Sequence, residues 1–290
     1  RVRKNIRRKK ISKRMSDYVP HLTEHLDLFA GHNYASLFDS ALKLIHSYHK
    51  KYPIKYLGWL DNWIIEFFPL LASYYNDAHF IVIFRDVRSS IASTLNRPDV
   101  INAPSTISFL RCWRKQIAFA SMIKESVLFK NRISFIKYES LVTNPEKETK
   151  RLCNELNIEF SEKMLDTSQF SGLGKDKNDW TPNSNFKVPN RGIYKNSINR
   201  WQETLDEKMI KLIEYIAGPE LQYLGYKISN PDYSKPDWET YNIILHENKK
   251  SSGWKTHNND AALDFSFEIF RHECLDNDSL DDDLIKRFFL

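Results

Sequence analysis

Cysteine, glycine and proline are all scarce in this sequence. Its 290 residues include 3 cysteines, 8 glycines and 11 prolines. The cysteines (Cys112, Cys153 and Cys274) lie far apart without a Cys-x-x-Cys pair, which excludes a disulfide scaffold and a cysteine-rich zinc site. Charged side chains interrupt every apolar run well short of the ~20 residues that cross a bilayer. We therefore expect a helix-rich globular protein with no metal and no membrane span in this chain.

Charge is unevenly distributed along the chain. The net charge of +6 is modest, with 43 basic and 37 acidic side chains, but residues 1–14 carry nine basic groups and no acidic one. Such an arm can bind nucleic acid, an anionic membrane or an acidic substrate, although a solvated terminal helix is the commoner origin of such a run. No aromatic side chain interleaves with these charges before Tyr18, which argues against single-strand binding.

Apolar periodicity predicts alternating helices and short strands. Helical spacing covers four stretches: 36–49, 59–74, 105–128 and 205–217. A further helix opens at Asn144-Pro145, and Thr204 is the expected cap of the last helix, which should end at Gly218-Pro219. Two β-rich runs, 79–84 and 133–137, predict strands, the first of them buried. Strands that alternate with helices predict an α/β fold, with a parallel β-sheet flanked by helices.

The most informative stretch is 80–93, Phe-Ile-Val-Ile-Phe-Arg-Asp-Val-Arg-Ser-Ser-Ile-Ala-Ser. The strand delivers Arg85 to the carboxyl edge of the sheet, where α/β folds bind ligands, and the next helix begins there with its free N–H groups. Ser89 and Ser93 lie four residues apart, on one face of that helix. An arginine fork, a hydroxyl and a helix N-terminus at one point predict a phosphate site. A structural Arg85–Asp86 pair, with Ser93 on the helix surface, explains the same residues equally well.

A strand followed by Arg-Asp-x-Arg-x-x-x-x-Ser resembles the 3′-phosphate-binding motif of the PAPS-dependent sulfotransferases. Later segments are similar to that family in the same order: 135–141 with Asn144-Pro145, 190–201, and 217–219 with 224–226. The resemblance covers residues 53–226 and implies a P-loop-kinase-like sulfotransferase architecture. It also implies PAPS as the sulfuryl donor, PAP as a product, and a small-molecule or glycan acceptor. We therefore expect a sulfotransferase-like domain over 1–226 and an unassigned extension with an acidic end over 227–290.

The helical spacing of the motif and the resemblance together give seven candidate donor residues, of which Ser89 comes from the spacing alone: Arg85, Ser89, Ser93, Tyr138, Arg191, Gly192 and Ser197. Arg85 and Ser93 would hold the 3′-phosphate, and Tyr138 would lie near the adenine. Arg191, with Gly192, would close over the same phosphate from the long polar loop that the sequence predicts at 171–200. An ordinary exposed loop arginine is an equally good reading of Arg191.

One part of the family pattern is missing from this sequence. These enzymes normally begin with a strand and a Pro-x-Ser-Gly-Thr-type loop that cradles the 5′-phosphosulfate, and no such loop precedes residue 53. Either the loop lies upstream of Arg1, or this chain cannot bind the sulfuryl donor in the usual way.

The catalytic candidates follow from the same resemblance, which places the base of the family before the 3′-phosphate motif. Lys55 would meet the phosphosulfate, and the base would be a histidine or a carboxylate, with His46, His49, Asp61 and Glu66 as the candidates. A solvated lysine and ordinary surface side chains are the alternatives. His46 and His49 share a helical face, but no third residue has the spacing of a metal ligand.

The sequence thus predicts transfer of a sulfuryl group from PAPS to a hydroxyl or amine, with no nucleic-acid partner. Two other classes stay open: a catalytically impaired sulfotransferase-like binding protein, and a basic-armed protein that binds nucleic acid or an anionic surface. No Gly-x-x-x-x-Gly-Lys-Ser/Thr motif occurs, which argues against a kinase or NTPase. Low cysteine use favours a cytoplasmic location, with the Golgi lumen as the alternative if an N-terminal anchor was removed.

Overall fold

The computed structural model describes the chain in these ranges: 31–49, 56–60, 64–95, 106–166, 193, 195, 198–232, 234–237, 239–240, 242 and 261–275. The chain divides into two compact units. One comprises Arg1–Asn76 and Asp166–Gly192, and the other comprises Asp77–Leu165 and Ile193–Leu290. Among the residues described, no helix combines the length and the apolar character that crossing a bilayer requires.

The first described helix, α1, runs over Tyr34–His49 in the first unit. Asn33 caps it, because its Oδ1 accepts a hydrogen bond from the backbone N–H of Ser36 at 2.9 Å. Ser36 Oγ returns the contact by accepting from the N–H of Asn33 at 3.2 Å, which is a reciprocal cap. The helix predicted at 36–49 is therefore confirmed.

The helix predicted at 59–74 is wrong at its start. Residues 56–60 are not helical, and a 3-10 turn over Ile64–Phe67 precedes the α-helix α2 (Phe68–Tyr74). Pro69 explains the late start, because it has no N–H to donate and is tolerated only in the first turn of an α-helix.

The second unit contains both described strands and most of the described helices. Its elements are β1 (Phe80–Phe84), α3 (Val87–Leu95), α4 (Thr106–Lys124), a 3-10 turn (Val127–Phe129), β2 (Ile133–Lys137), α5 (Tyr138–Thr143), α6 (Pro145–Glu155), a 3-10 turn (Glu162–Leu165), α7 (Trp201–Thr204), α8 (Glu207–Tyr223) and α9 (Ala261–Leu275). The helix predicted at 105–128 is thus shorter than expected. It ends at Lys124, because Ser126 opens the 3-10 turn by accepting a hydrogen bond from the N–H of Leu128.

The two strands pair in parallel, in a register that runs from Phe80 opposite Ile133 to Phe84 opposite Lys137. The parallel pairing and the surrounding helices confirm the predicted α/β class. The prediction that β1 is buried is wrong, since Ile81 and Ile83 are 38% and 51% exposed. In the described part of the chain the sheet has only these two strands.

Helix α6 begins where the sequence predicted, with Pro145 in its first turn and Glu146 and Glu148 near its positive end. Asn144 occupies the N-cap position, but its side chain makes no capping hydrogen bond, so its predicted capping role is wrong. The preceding helix α5 ends at Thr143, and the N–H of Asn144 donates to the carbonyl of Ser140 at 2.8 Å. The backbone of Asn144 therefore serves the end of one helix and the start of the next.

Helix α8 differs from the prediction at both ends. Its cap is Asp206, which accepts the N–H of Met209 at 2.7 Å, whereas Thr204 belongs to α7. Asp206 suits the capping position better than Thr204, because a carboxylate is a stronger acceptor for the N–H groups at the positive end of a helix. The helix also continues through Gly218-Pro219 to Tyr223. A proline inside a helix frees a carbonyl four residues earlier, and other groups must satisfy it.

The core of the second unit lies between α3, α4 and α8. Val87, Leu110, Ile213 and Leu221 are among its fully buried side chains. Helix α9 adds Phe265 to this cluster, so part of the predicted extension over 227–290 packs inside the unit. The domain boundary at 226 stays a prediction.

Candidate functional site

Arg85 lies at the carboxyl edge of the sheet, between the end of β1 and the start of α3. Its backbone carbonyl accepts a hydrogen bond from Trp113 Nε1 of α4 at 3.1 Å. Its guanidinium carbon stands 4.6 Å from the ring centroid of Tyr138, the first residue of α5. The two parallel strands end at the same edge of the sheet, where Phe84 is in register with Lys137. The residues that follow them, Arg85 and Tyr138, therefore lie side by side and stack. The structure therefore brings together two of the predicted donor residues.

The two serines of the motif have different surroundings on α3. Ser89 is buried, and its hydroxyl donates to the carbonyl of Ile198 at 2.7 Å. Ser93 is half-buried, one turn further along the helix. Ser89 thus ties α3 to the segment that leads into α7. Contact of either serine with a phosphate stays a prediction.

Asp86 pairs with Arg88, not with Arg85. The Asp86 carboxylate accepts from Arg88 Nε at 3.0 Å, from Arg88 Nη2 at 2.7 Å and from the backbone N–H of Arg88 at 2.9 Å. The alternative of a structural Arg85–Asp86 pair is therefore wrong. The reason is geometric, because the start of α3 turns Arg88 back onto Asp86, whereas Arg85 extends over Tyr138.

Arg88 is buried at the centre of a larger polar cluster. Its Nη1 donates to Glu214 Oε1 of α8 at 2.6 Å, and its guanidinium lies 4.1 Å from the ring centroid of Trp201. Burial alone would lower the pKa of Arg88, but the hydrogen bonds and charges of Asp86 and Glu214 outweigh it and raise that pKa. Trp201 is buried and belongs to the hydrophobic core of the second unit.

Glu139 connects this cluster to the end of α8. Its Oε1 accepts from the backbone N–H of Asp86 at 3.0 Å, and its Oε2 accepts from the hydroxyl of Tyr226 at 2.8 Å. Burial, together with the Glu139 carboxylate, raises the pKa of Tyr226, so its hydroxyl remains a donor. Lys137 Nζ stands 4.5 Å from the ring centroid of Tyr226. These contacts connect the C-terminal ends of β1, β2 and α8.

Gly225 directs Tyr226 to this position. It has φ of 73°, a left-handed conformation that favours glycine. The N–H of Tyr226 donates to the carbonyl of Leu221 at 2.8 Å, which is the hydrogen bond of a Schellman helix end.

Several predicted site residues lie outside the described residues: Lys55, Asp61, Arg191, Gly192 and Ser197. His46 and His49 are part of α1, but their side chains are not described. Their catalytic and donor-binding roles stay predictions. Within the described ranges, no cluster of histidine, cysteine or carboxylate side chains has the geometry of a metal site.

Sequence reasoning missed the groups that hold Arg85 and Arg88. Glu214 is fully buried yet lies 126 residues from Arg88 along the chain. The available signal was a single acidic residue inside the apolar run Ile-Glu-Tyr-Ile at 213–216. A charge on the core face of a helix needs a partner, so this pattern indicates a buried ion pair without identifying its other half.

The geometry defines an α/β protein with an arginine held at the carboxyl edge of a parallel sheet, beside a helix N-terminus. The model of the family described as "Sulfotransferase family" matches residues 4–162, more than half of the chain. The chain belongs to the sulfotransferase family.

Named relatives and one solved structure are similar to this chain. A putative protein-tyrosine sulfotransferase of Caenorhabditis briggsae is 26% identical over 62% of this chain and 63% of the relative. Protein-tyrosine sulfotransferase A of Caenorhabditis elegans is 27% identical over 58% of this chain and 44% of its own. The chain thus spans less than two thirds of these relatives. The solved sulfotransferase domain from the curacin biosynthetic pathway is 13% identical, with a TM-score of 0.44 over 67% of this chain and 69% of that domain.

Proposed function

We propose that this protein transfers a sulfuryl group from PAPS to a hydroxyl or amine acceptor. The observation that carries the proposal is Arg85, held over the ring of Tyr138 where β1 gives way to α3. Membership of the sulfotransferase family supports the same reaction. The P-loop-kinase-like architecture of that family is part of the proposal.

The residues present fit an anionic group. Arg85 offers a planar donor fork, which matches the oxygens of a phosphate, and the ring of Tyr138 restricts its rotation before a ligand arrives. Helix α3 begins two residues after Arg85, at Val87, and carries the half-buried Ser93. These groups would hold the 3′-phosphate, which distinguishes PAP from ADP.

The reaction needs alignment and charge stabilisation more than covalent work by the protein. PAPS, when bound, supplies the sulfuryl group: a bond forms between the acceptor atom and sulfur, and the bond from sulfur to the 5′-phosphate oxygen breaks. The acceptor proton must pass to a base, for which the candidates from the sequence are His46, His49, Asp61 and Glu66. Lys55 would offset charge on the leaving phosphate.

The acceptor that we propose to test first is a tyrosine side chain in a peptide. Several relatives of this chain are named protein-tyrosine sulfotransferases, and a phenol is a hydroxyl acceptor of the proposed kind. The cytoplasmic location predicted from the sequence stays a prediction.

Calorimetric titration of PAP and of ADP into the protein tests the donor site. Wild type should prefer PAP, and Arg85→Ala should remove that preference, because the charged fork for the 3′-phosphate is lost. Arg132→Ala is the matched control: Arg132 also stacks on an aromatic ring, that of Phe80 at 5.9 Å, but at the opposite end of β1. Equal affinity of wild type for PAP and ADP would contradict the proposal. Binding of PAP without turnover of PAPS would instead favour an impaired, binding-only relative.

A further inference from the structure

Helix α9 (Ala261–Leu275) lies beyond residues 4–162, which the family model matches. Phe265 places the helix against the core of the second unit. Three of its polar side chains are buried as well: Glu268, Arg271 and His272. A helix that buries three such groups needs partners for each of them, and those partners indicate what the helix holds.

The partners of Glu268 and Arg271 are charged residues of α4 and α8. Arg114 of α4 donates to Glu268 Oε2 at 2.6 Å and to Glu220 Oε1 of α8 at 2.7 Å. Arg271 lies 3.0 Å from Glu268 Oε2 and 3.3 Å from Glu220 Oε1. Two arginines and two glutamates thus alternate around one buried cluster, and the more exposed Arg111 of α4 lies 3.7 Å from Glu268 Oε1 at its margin. Buried ion pairs tolerate little displacement, because separation leaves a desolvated charge without compensation.

Arg271 and His272 also satisfy backbone carbonyls next to Pro219. Pro219 has no N–H, so the carbonyl of Tyr215, four residues earlier, lacks its usual helical donor. The ring of His272 hydrogen-bonds to that backbone group, and it stacks on the Tyr215 ring with 4.1 Å between centroids. Arg271 Nη2 donates to the neighbouring carbonyl of Ile216. Helix α9 therefore docks where Pro219 opens α8.

The same turns of α4 and α8 hold the candidate site. Trp113, which bonds the carbonyl of Arg85, directly precedes Arg114. Glu214, which bonds Arg88, directly precedes Tyr215. Helix α4 thus contacts the site through Trp113 and α9 through Arg114. Helix α8 contacts the site through Glu214 and α9 through Tyr215. A shift of either helix that broke the contact with α9 would also move Trp113 or Glu214.

We propose that α9 is a clamp that fixes α4 and α8 where they hold Arg85 and Arg88, with Glu268 and Arg271 as positioning residues for the 3′-phosphate. The proposal concerns the same site as the proposed function and rests on it for the ligand. Residues 261–275 lie outside both the sequence resemblance at 53–226 and the family match at 4–162, and the proposal gives them a role.

The variant for the test combines Glu268→Gln with Arg271→Gln. It removes one charge of each sign, so the net charge of the cluster is unchanged and Arg114 keeps Glu220 as a partner. Ser134→Ala is the control for general loss of stability. It removes a buried hydroxyl that hydrogen-bonds His79 at 2.6 Å and donates to Glu155, near the opposite edge of the sheet.

Two readouts decide the proposal. The first is hydrogen–deuterium exchange of the amides of residues 85–95 in the ligand-free protein, compared at equal distance from each variant's melting temperature. The second is the ratio of the dissociation constants for ADP and PAP. We expect the double variant to accelerate the exchange and to reduce the ratio by roughly fivefold or more, the usual range of coupling between sites, while Ser134→Ala changes neither.

A double variant that melts earlier but keeps wild-type exchange in 85–95 would overturn the clamp. So would equal changes in the double variant and in Ser134→Ala. If wild type itself fails to distinguish PAP from ADP, the proposed function fails, and the exchange experiment still decides the clamp by itself. Should the double variant not fold, His272→Phe replaces it, because this change keeps a ring on Tyr215 and removes the donor to its backbone.

Discussion

Replacement of Glu214 by glutamine isolates the central contact of the polar cluster. Glu214 is fully buried and accepts four hydrogen bonds, from Arg88 Nη1 at 2.6 Å, from the backbone N–H of Ser229 at 2.9 Å and its hydroxyl at 2.8 Å, and from the N–H of Asn230 at 2.8 Å. All of these partners are donors. The NH2 group of a glutamine must therefore face a donor, whichever way the amide turns.

The expected loss follows from those contacts. A hydrogen bond to a charged group contributes about 1.5–3 kcal/mol, and breaking a buried ion pair costs about 3–5 kcal/mol. Arg88 keeps Asp86 as a partner, so the lower end applies, and Glu214→Gln should reduce the free energy of unfolding by about 3 kcal/mol. With urea slopes of about 1–3 kcal/mol per molar, the unfolding midpoint should fall by about 1 M or more.

Urea unfolding followed by circular dichroism measures this loss, with Glu146→Gln as the control. Glu146 also pairs with a basic residue, Lys150 at 2.6 Å, but both side chains are more than half exposed. Exposed pairs at this helical spacing contribute about 0.3–0.5 kcal/mol. If Glu214→Gln costs no more than Glu146→Gln, the cluster around Arg88 does not stabilise the fold and our account of it is refuted.

Two further changes test other parts of the second unit. Gly225→Ala should cost about 1–2 kcal/mol because its φ of 73° strains any residue with a Cβ, whereas Gly58→Ala, which meets no atom within 4 Å, should leave the urea midpoint unchanged. Burial and the charge of Arg271 lower the pKa of His272 from 6.5 to about 4. The unfolded state therefore binds the extra proton between these values, and stability should fall by about 3 kcal/mol as the pH drops through that window. His272→Gln should flatten this part of a urea-midpoint-against-pH profile, and an unchanged slope would contradict the assigned burial.

The strands and their direction could be predicted because the signal is local. The runs at 80–84 and 133–137 are β-rich, apolar and separated by helical spacing, which is enough to require a crossover and hence parallel pairing. Helix ends could not be predicted as well. Pro219 reads as a stop when only its neighbours are considered, yet α8 continues because α9 supplies donors to the carbonyls near the proline.

The same division applies to the site. Arg85 was predicted at the carboxyl edge because it follows a strand, whereas Tyr138 was assigned to the donor only through the family resemblance. The register of Phe84 with Lys137 brings the two side chains together. The register itself is a tertiary property. Likewise, Glu214 reveals in the sequence only that it needs a partner, because the residue that meets it is 126 positions away.

The two arginines of the motif Arg-Asp-x-Arg have separate tasks, and Asp86 separates them. A carboxylate beside a phosphate-binding arginine would compete with the phosphate for its donors. Here three N–H groups of Arg88 occupy the Asp86 carboxylate, and Glu214 takes a fourth donor of Arg88. Arg88 is therefore structural because it neutralises Asp86, and Arg85 is directed over Tyr138 at the sheet edge. Within the motif, the second arginine therefore neutralises the carboxylate that lies next to Arg85 in the sequence.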